Sequence, residues 1–378
     1  MRKLFIFVLA LAVLSSIYHG NAHCETTCTQ LSFEKTFSFG YDFNPDSIDV
    51  FEVLPNGTFA SVLNNHFFLH DSKGCAILDI QLYHPELSHS QPRAVDLIIT
   101  DDYILIPTFD YQSEKSYCIS IYHQDIITFS PVFSGVVNCC EKCDDSIIMA
   151  GSIIEKSNKS YLMSPWYVEI AMDGKMISEW KGTPVIRNNF LSSASIDCIV
   201  SFDHEVFLVE NRRIQDDPCI NIINLKDLSV YRSIKAIDIS CDEIIQVFQL
   251  QGVIVSTAES FSLFGKYQSN GDLFTFIYSV NTNEMDDCRL LGDLQIVDCS
   301  RNTQDTVILC RTPDESELKI IYENKWDDNA IINIESGYSI DHLAVDMNGQ
   351  FFVAGIQYSA KHNNNQAYIG ILKSMTQG

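Results

Sequence analysis

Apolar and polar residues alternate with a period of two through much of the chain. Past its first twenty residues, no segment keeps a sustained 3.6-residue apolar rhythm. The alternation is clearest in Cys118-Ile119-Ser120-Ile121-Tyr122-His123 and in Cys219-Ile220-Asn221-Ile222. Successive side chains of a strand point to opposite faces, so this pattern predicts half-buried β-strands. Asn56-Gly57, Gln251-Gly252 and Asn348-Gly349 read as tight turns between a first and a second strand, with both turn residues at positive φ. The first arm of a further hairpin recurs with centres near Phe68, Ile121, Val168, Ile223, Tyr278, Ile321 and Ile371. Turns at Lys73-Gly74, Asp173-Gly174, Asp227 and Asp327-Asp328 then lead to a fourth strand.

The strands belong to a repeat. Ser47-Ile48-Asp49, six residues, then Asn56-Gly57-Thr58-Phe59 matches Ser339-Ile340-Asp341, six residues, then Asn348-Gly349-Gln350-Phe351. A β-branched residue followed by Asp recurs between them at Val95-Asp96, Ile196-Asp197 and Val297-Asp298. The two widest gaps each hold two periods of roughly fifty residues. Asp145 and Asp242 stand near the missing anchors, with Ile237-Asp238 competing for the second. Units therefore start near residues 47, 94, 144, 195, 241, 296 and 339. The last unit ends one strand short, after Ala367-Tyr368-Ile369-Gly370-Ile371-Leu372. A strand over 31–39, with mostly apolar odd positions, is available to complete it and remove an exposed edge.

Four strands per unit and seven units describe sheets packed face to face around an axis. At this point the chain resembles the β-propeller superfamily over nearly all of residues 29–374. The resemblance implies an all-β, seven-bladed propeller of four-stranded blades, the last completed by the N-terminal strand. It is one of architecture. A Trp-Asp strand ending, a sialidase-type Asp-box and a quinoprotein-type Trp-docking repeat are all missing from the sequence, so no family's functional residues carry over.

Composition refines this picture. Arg2 and Lys3, the apolar run Leu4 to Leu14, and the small residues ending in Gly20-Asn21-Ala22 read as a cleavable secretory signal over 1–22. The run rises about 16 Å as a helix against a hydrocarbon core of about 30 Å, too short to anchor the chain. Residues 23–378 are then one secreted propeller domain with no membrane insertion. At 46% hydrophobic and 11% aromatic, the chain has material for a packed core. A formal charge of −24 repels phosphate backbones and anionic membranes, which excludes nucleic acid and leaves cations, basic proteins and neutral glycans as partners. The same charge also serves solubility. Thirteen cysteines in a secreted chain point to disulfides, and the odd number leaves at least one over. Asn56-Gly57-Thr58 and Asn158-Lys159-Ser160 are glycosylation sequons.

The chemistry that could be carried is sparse. If each anchor begins the innermost strand of its blade, Asp49, Asp96, Asp197, Asp298 and Asp341 ring the mouth of a central channel. Converging carboxylates would suit a hard cation such as Ca²⁺. The competing reading is structural: each Asp accepts backbone N–H bonds and ties blade to blade. Paired acids such as Asp144-Asp145 and Asp286-Asp287 lack a calcium-loop pattern and read as solvated turns. The one Cys-x-x-Cys, within Cys139-Cys140-Glu141-Lys142-Cys143, has no second ligand pair for zinc. Cys299 and Cys310 flank a turn almost symmetrically and are the first disulfide candidate. His66 and His70 lie in an apparent strand, about 13 Å apart and too far to share an ion. No local motif of a common hydrolase or nucleotide-binding enzyme occurs, so no catalytic residue is assigned. This favours a secreted module that presents propeller loops to an extracellular protein or glycan. The alternative is a secreted hydrolase or lyase with its carboxylates at the channel mouth.

Overall fold

A computed structural model of the chain describes residues 29–39, 45–54, 56–87, 92–100, 102–123, 126–157, 160–187, 193–202, 205–213, 219–235, 247–255, 260–269, 272–281, 287–301, 306–313, 317–322, 325–332, 337–346, 348–359 and 364–374. The signal expected over 1–22 lies outside them. Every regular element among the described residues is a strand, and no helix there is long and apolar enough to cross a membrane.

β1 spans Thr29–Phe39. The first sheet is β2 (Val50–Val53), β3 (Phe59–Leu63), β4 (His66–His70) and β5 (Ala76–Gln81), paired in chain order. In the second, the inner strand is split into β6 (Pro92–Ala94) and β7 (Ile98–Ile99), followed by β8 (Tyr103–Asp110), β9 (Lys115–Tyr122) and β10 (Ile126–Phe129). The third holds β11 (Val136–Cys143), β12 (Ser146–Ser157), β13 (Ser160–Ala171) and β14 (Met176–Lys181), with β15 (Val185–Arg187) added to β13. The fourth is β16 (Ser193–Phe202), β17 (Glu205–Arg213), β18 (Cys219–Asn224) and β19 (Val230–Lys235). The fifth is β20 (Val247–Val255), β21 (Ser260–Ser269), β22 (Asp272–Asn281) and β23 (Asp287–Gly292). The sixth sheet is eight strands wide. It joins β24 (Gln295–Arg301), β25 (Thr306–Arg311), β26 (Leu318–Tyr322) and β27 (Lys325–Ile332) to β28 (His342–Val345), β29 (Phe351–Ser359) and β30 (Asn364–Ser374). β1 lies between the two groups. Thr29–Leu31 run parallel to Ala330–Ile332, and Leu31–Phe39 run antiparallel to β30 from Ser374 back to Ala367. Each predicted third-strand centre, from Phe68 to Ile371, falls within a strand.

Apolar side chains fill the gap between each four-strand group and the next. Val62, Phe67 and Leu69 meet Ile106, Tyr117 and Ile119, and Leu105 meets Met149 and Trp166. At the far end of the chain, Ala354, Ile356 and Ile369 pack on Phe51, Phe59 and Phe68 of the first sheet. Full burial of such side chains stabilises the fold by about 1.5–3 kcal/mol each, so face-to-face packing is its main support.

The turns differ from expectation in detail. At Gly57 and Gly349 only the glycine takes positive φ, at 77° and 79°. Leu54 N bonds Thr58 O while Gly57 N bonds Leu54 O, and Asp346, Gln350 and Gly349 repeat the pattern. These hydrogen bonds close a three-residue loop, a turn followed by a glycine bulge. The two-residue hairpin with both residues at positive φ is instead Asn64-Asn65, between Leu63 and its partner His66. Gln251-Gly252 is no turn. Gly252 pairs with Phe264 inside β20, and the register slips by one at Gln251, where an interior glycine accommodates a bulge.

That slip recurs. The innermost strands bulge at Asn138 in β11, Asp197 in β16, Gln251 in β20 and Val297 in β24. Asp96 stands in the break between β6 and β7, while Asp49 and Asp341 immediately precede β2 and β28. Asp145 does not share this place. β11 begins at Val136, eight residues before the expected start near 144, and Asp145 lies in the turn between Cys143 and Ser146. The sequence pattern misplaced the start of this unit because its bulge residue is Asn138, an amide, where β16 has Asp197. Asp242 lies outside the described residues.

Candidate binding face and axial acids

Within each group the second strand runs antiparallel to the first. The connection from second to third strand therefore emerges at the end where the innermost strand begins. The β12–β13 hairpin continues past Val136, the first residue of β11, whose partner is Ser152. On this end stand Tyr111, just past β8, Tyr161 on β13 and Tyr358 on β29, with 61%, 50% and 51% of their surface exposed. Ile154 and Ile186 flank Tyr161 and are also exposed. Ile154 pairs with Met163, and Ile186 with Leu162, so the third sheet raises a three-stranded flap. Arg93 lies 5.9 Å from the centre of the Tyr111 ring, and its Nε is 3.8 Å from Asp49 Oδ1. A cavity of about 380 Å³ opens among Asp49, Arg93, Phe109, Tyr111 and Asn138.

The five anchor carboxylates stand in or just ahead of the innermost strands, and most act as ties between neighbouring four-strand groups. Asp341 Oδ2 accepts the Ile48 N–H at 3.3 Å. Asp298 accepts Cys299 N at Oδ1 (2.8 Å) and Leu343 N at Oδ2 (2.9 Å). Asp96 accepts Leu97 N at 2.8 Å and faces the Cys140 thiol at 3.4 Å. Asp197 accepts the Asn138 amide at 3.3 Å and the Asn211 amide at 2.9 Å. Asp49 departs from this pattern. Its side chain is only 7% exposed and its Oδ2 has no hydrogen-bond partner. Burial pushes its carboxyl up to about 6, against the opposing pull of Arg93 and His342.

Sequence reasoning missed the two acids deeper along the axis. Glu52 and Glu141, with Asp96 and Cys140, line a second cavity of about 390 Å³. Glu52 is reachable by water yet surrounded by protein, and desolvation, with the Asp96 and Asp298 charges, raises its carboxyl to about 7. Desolvation does the same for Glu141, also to about 7, although a Ser201 hydrogen bond opposes it. His342 was missed as well; its only signal was adjacency to the Asp341 anchor. Among the described residues, no three His, Cys, Asp or Glu side chains are arranged to hold a metal ion.

The cysteines correct the disulfide expectation. Cys118, Cys140, Cys198 and Cys310 are buried thiols. They stand opposite Pro107, Met149, Val209 and Ile296 rather than opposite other cysteines, and serve as small core residues. The Val297 bulge sets Cys299 opposite Ile308, so it does not face Cys310 across the hairpin. Of the sequons, Asn56 is exposed and its side-chain oxygen accepts both Thr58 N and Thr58 Oγ1. Asn158 lies outside the described residues. His66 and His70 bound β4, as a strand requires.

No known family profile matches the sequence, and no curated relative does. Solved structures do match. The Neurospora crassa Pan2 WD40 domain is 8% identical, with 90% of this chain and 96% of that chain covered and a TM-score of 0.54. The Myceliophteria thermophila Cps50 (Swd1) β-propeller domain is 12% identical, covering 90% of this chain and 100% of that one, also at 0.54. Kuenenia stuttgartiensis hydrazine synthase is 9% identical, with 86% and 95% covered and a TM-score of 0.55. Identities this low speak to architecture alone, and the architecture is that of a β-propeller.

Proposed function

We propose that this chain is a secreted interaction module that binds an extracellular protein on the face where its innermost strands begin. In this reading the sheets form a seven-bladed ring, with β1 completing the last blade. The observation that carries the proposal is the set of exposed tyrosines, Tyr111, Tyr161 and Tyr358, held on strands or strand ends at that face. Tyrosine supplies large, rigid contact area at low entropic cost, and Tyr and Arg lead binding hot spots. The net charge of −24 favours a basic partner by steering its approach.

The test is capture of partners from the extracellular milieu with residues 23–378, beside a Tyr111→Ala/Tyr161→Ala double variant. At least a tenfold loss of a bound protein in the variant is expected, from about 1.4 kcal/mol or more of lost hot-spot energy. Equal capture by both proteins would refute the proposal, and a glycan in place of a protein would redirect it. Conversion of a substrate that stops on Glu52→Gln or Glu141→Gln would favour the hydrolase or lyase reading. The ring reading has its own check. Ser32 and Lys373 are paired across β1 and β30, so a Ser32→Cys/Lys373→Cys protein should crosslink internally on oxidation.

A further inference from the structure

His342 opens β28 and sits where three parts of the chain converge. Its Nε2 is 2.9 Å from the Ile48 carbonyl oxygen, ahead of β2, and its Nδ1 is 3.3 Å from Asp298 Oδ2, on β24. A carbonyl oxygen can only accept, so Nε2 carries a hydrogen. Both Asp298 oxygens already accept backbone N–H groups, from Cys299 and Leu343, which is the surrounding of an ionised carboxylate. Nδ1 therefore faces an acceptor too. Both ring nitrogens must donate, and only the imidazolium does that.

We infer that His342 is a proton-dependent clamp, which in its charged form fastens the C-terminal strands to the first sheet and to β24. Losing the proton removes one of the two bonds and the attraction to Asp298, at the seam where Ile48 also donates to Asp341. The groups facing the imidazole from all sides are mostly anionic: Asp298 on β24, Asp341 beside it in the chain, and Asp49 and Glu52 from the first sheet. The cation nearby is Arg311, whose guanidinium donates to the Ile340 carbonyl and pulls on Asp341. Burial alone would disfavour the charge. The Asp298 hydrogen bond and charge, the Ile48 carbonyl and Asp341 outweigh it, and the imidazole is held above its ordinary value of 6.5.

The folded state thus binds this proton more tightly than the unfolded chain does. The clamp's contribution is full below about 6.5 and fades as pH rises through the higher folded value.

Histidine ring-proton NMR on the full folded protein tests this. The His342 signal, identified by its absence in His342→Gln, should titrate with a midpoint above the ordinary imidazole value of 6.5. In Asp298→Asn the midpoint should fall, because the hydrogen bond and the charge that hold the proton are both lost. If His342→Gln does not fold, the one histidine signal moved by Asp298→Asn identifies it. Melting temperature should fall between pH 6 and pH 9 by about 1–2 °C more in the wild type than in His342→Gln, the change expected for roughly 1 kcal/mol in a domain this large. A His342 midpoint at or below 6.5, or identical melting profiles for the two proteins, would overturn the inference.

Discussion

A buried histidine and a half-buried one occupy comparable junctions and do opposite work. His84 fills the connection after β5, edge-on to Tyr117 and Phe129 at 5.0 and 5.3 Å. Its Nδ1 accepts the Glu86 N–H and its Nε2 faces the Ser130 carbonyl oxygen, each at 3.1 Å. One ring nitrogen accepts and the other donates, which is the neutral tautomer. His342 has an acceptor on both sides, and so carries the charge. The difference lies in whether a backbone N–H or a carboxylate meets Nδ1, and residue type alone does not reveal it.

The seam and the early junction can be separated by experiment. The largest effect is expected from Gly355→Ala. A Cβ there would lie 2.0 Å from the Ser339 carbonyl oxygen, a backbone atom with little room to yield. A loss of about 3 kcal/mol in denaturant unfolding is the expected outcome. Gly151 occupies the matching position in the third sheet, 1.9 Å from the Val136 oxygen, and Gly151→Ala should cost a similar amount. Equal losses would mean that the seam is no weaker than an ordinary junction.

Asp298→Ala comes next. It strips the acceptor from Cys299 N, Leu343 N and His342 at once, and about 2–3 kcal/mol should be lost near pH 6. The loss should shrink as pH rises and His342 gives up its proton. His84→Leu removes the two hydrogen bonds of that ring and should cost about 1–2 kcal/mol. A loss in Asp298→Ala no larger than this would erase the contrast between the two sites.

Glu52→Gln tests the axis. A carboxyl raised to about 7 in the fold, against an ordinary 4.5, binds its proton more tightly when folded. Its ionisation thus weakens the fold progressively as pH climbs from 4.5 through 7. Melting temperature should rise by about 1–2 °C in Glu52→Gln at pH 8 and be unchanged near pH 4.5. The smallest effect on stability belongs to Tyr111→Ala. The ring is 61% exposed, and unfolding should shift by no more than about 0.5 kcal/mol.

Much of the architecture was legible locally. Alternation in Cys118–His123, the Asn-Gly pairs and the spacing of Asp49, Asp96, Asp197, Asp298 and Asp341 identified strands, turns and a repeat. Those signals sit within a few residues of chain, where side-chain direction and backbone φ are decided. The third unit's start was misplaced because Asn138 stands in its bulge where Asp197 stands in that of β16. Gln251-Gly252 was misplaced because a glycine inside a strand and a glycine in a turn look alike in sequence.

What the sequence alone determined was strand periodicity, the repeat and the strong negative charge. Each follows from residue type and order. Only the tertiary structure decided which anchor carboxylates accept a neighbour's N–H, that Cys299 and Cys310 do not face each other, and that Glu52 and Glu141 look into the axis. It also decided that His342 lies between Ile48 and Asp298. These depend on contacts between residues as many as 294 positions apart. Burial, hydrogen bonding and charge act through space, and distance along the chain carries no trace of them.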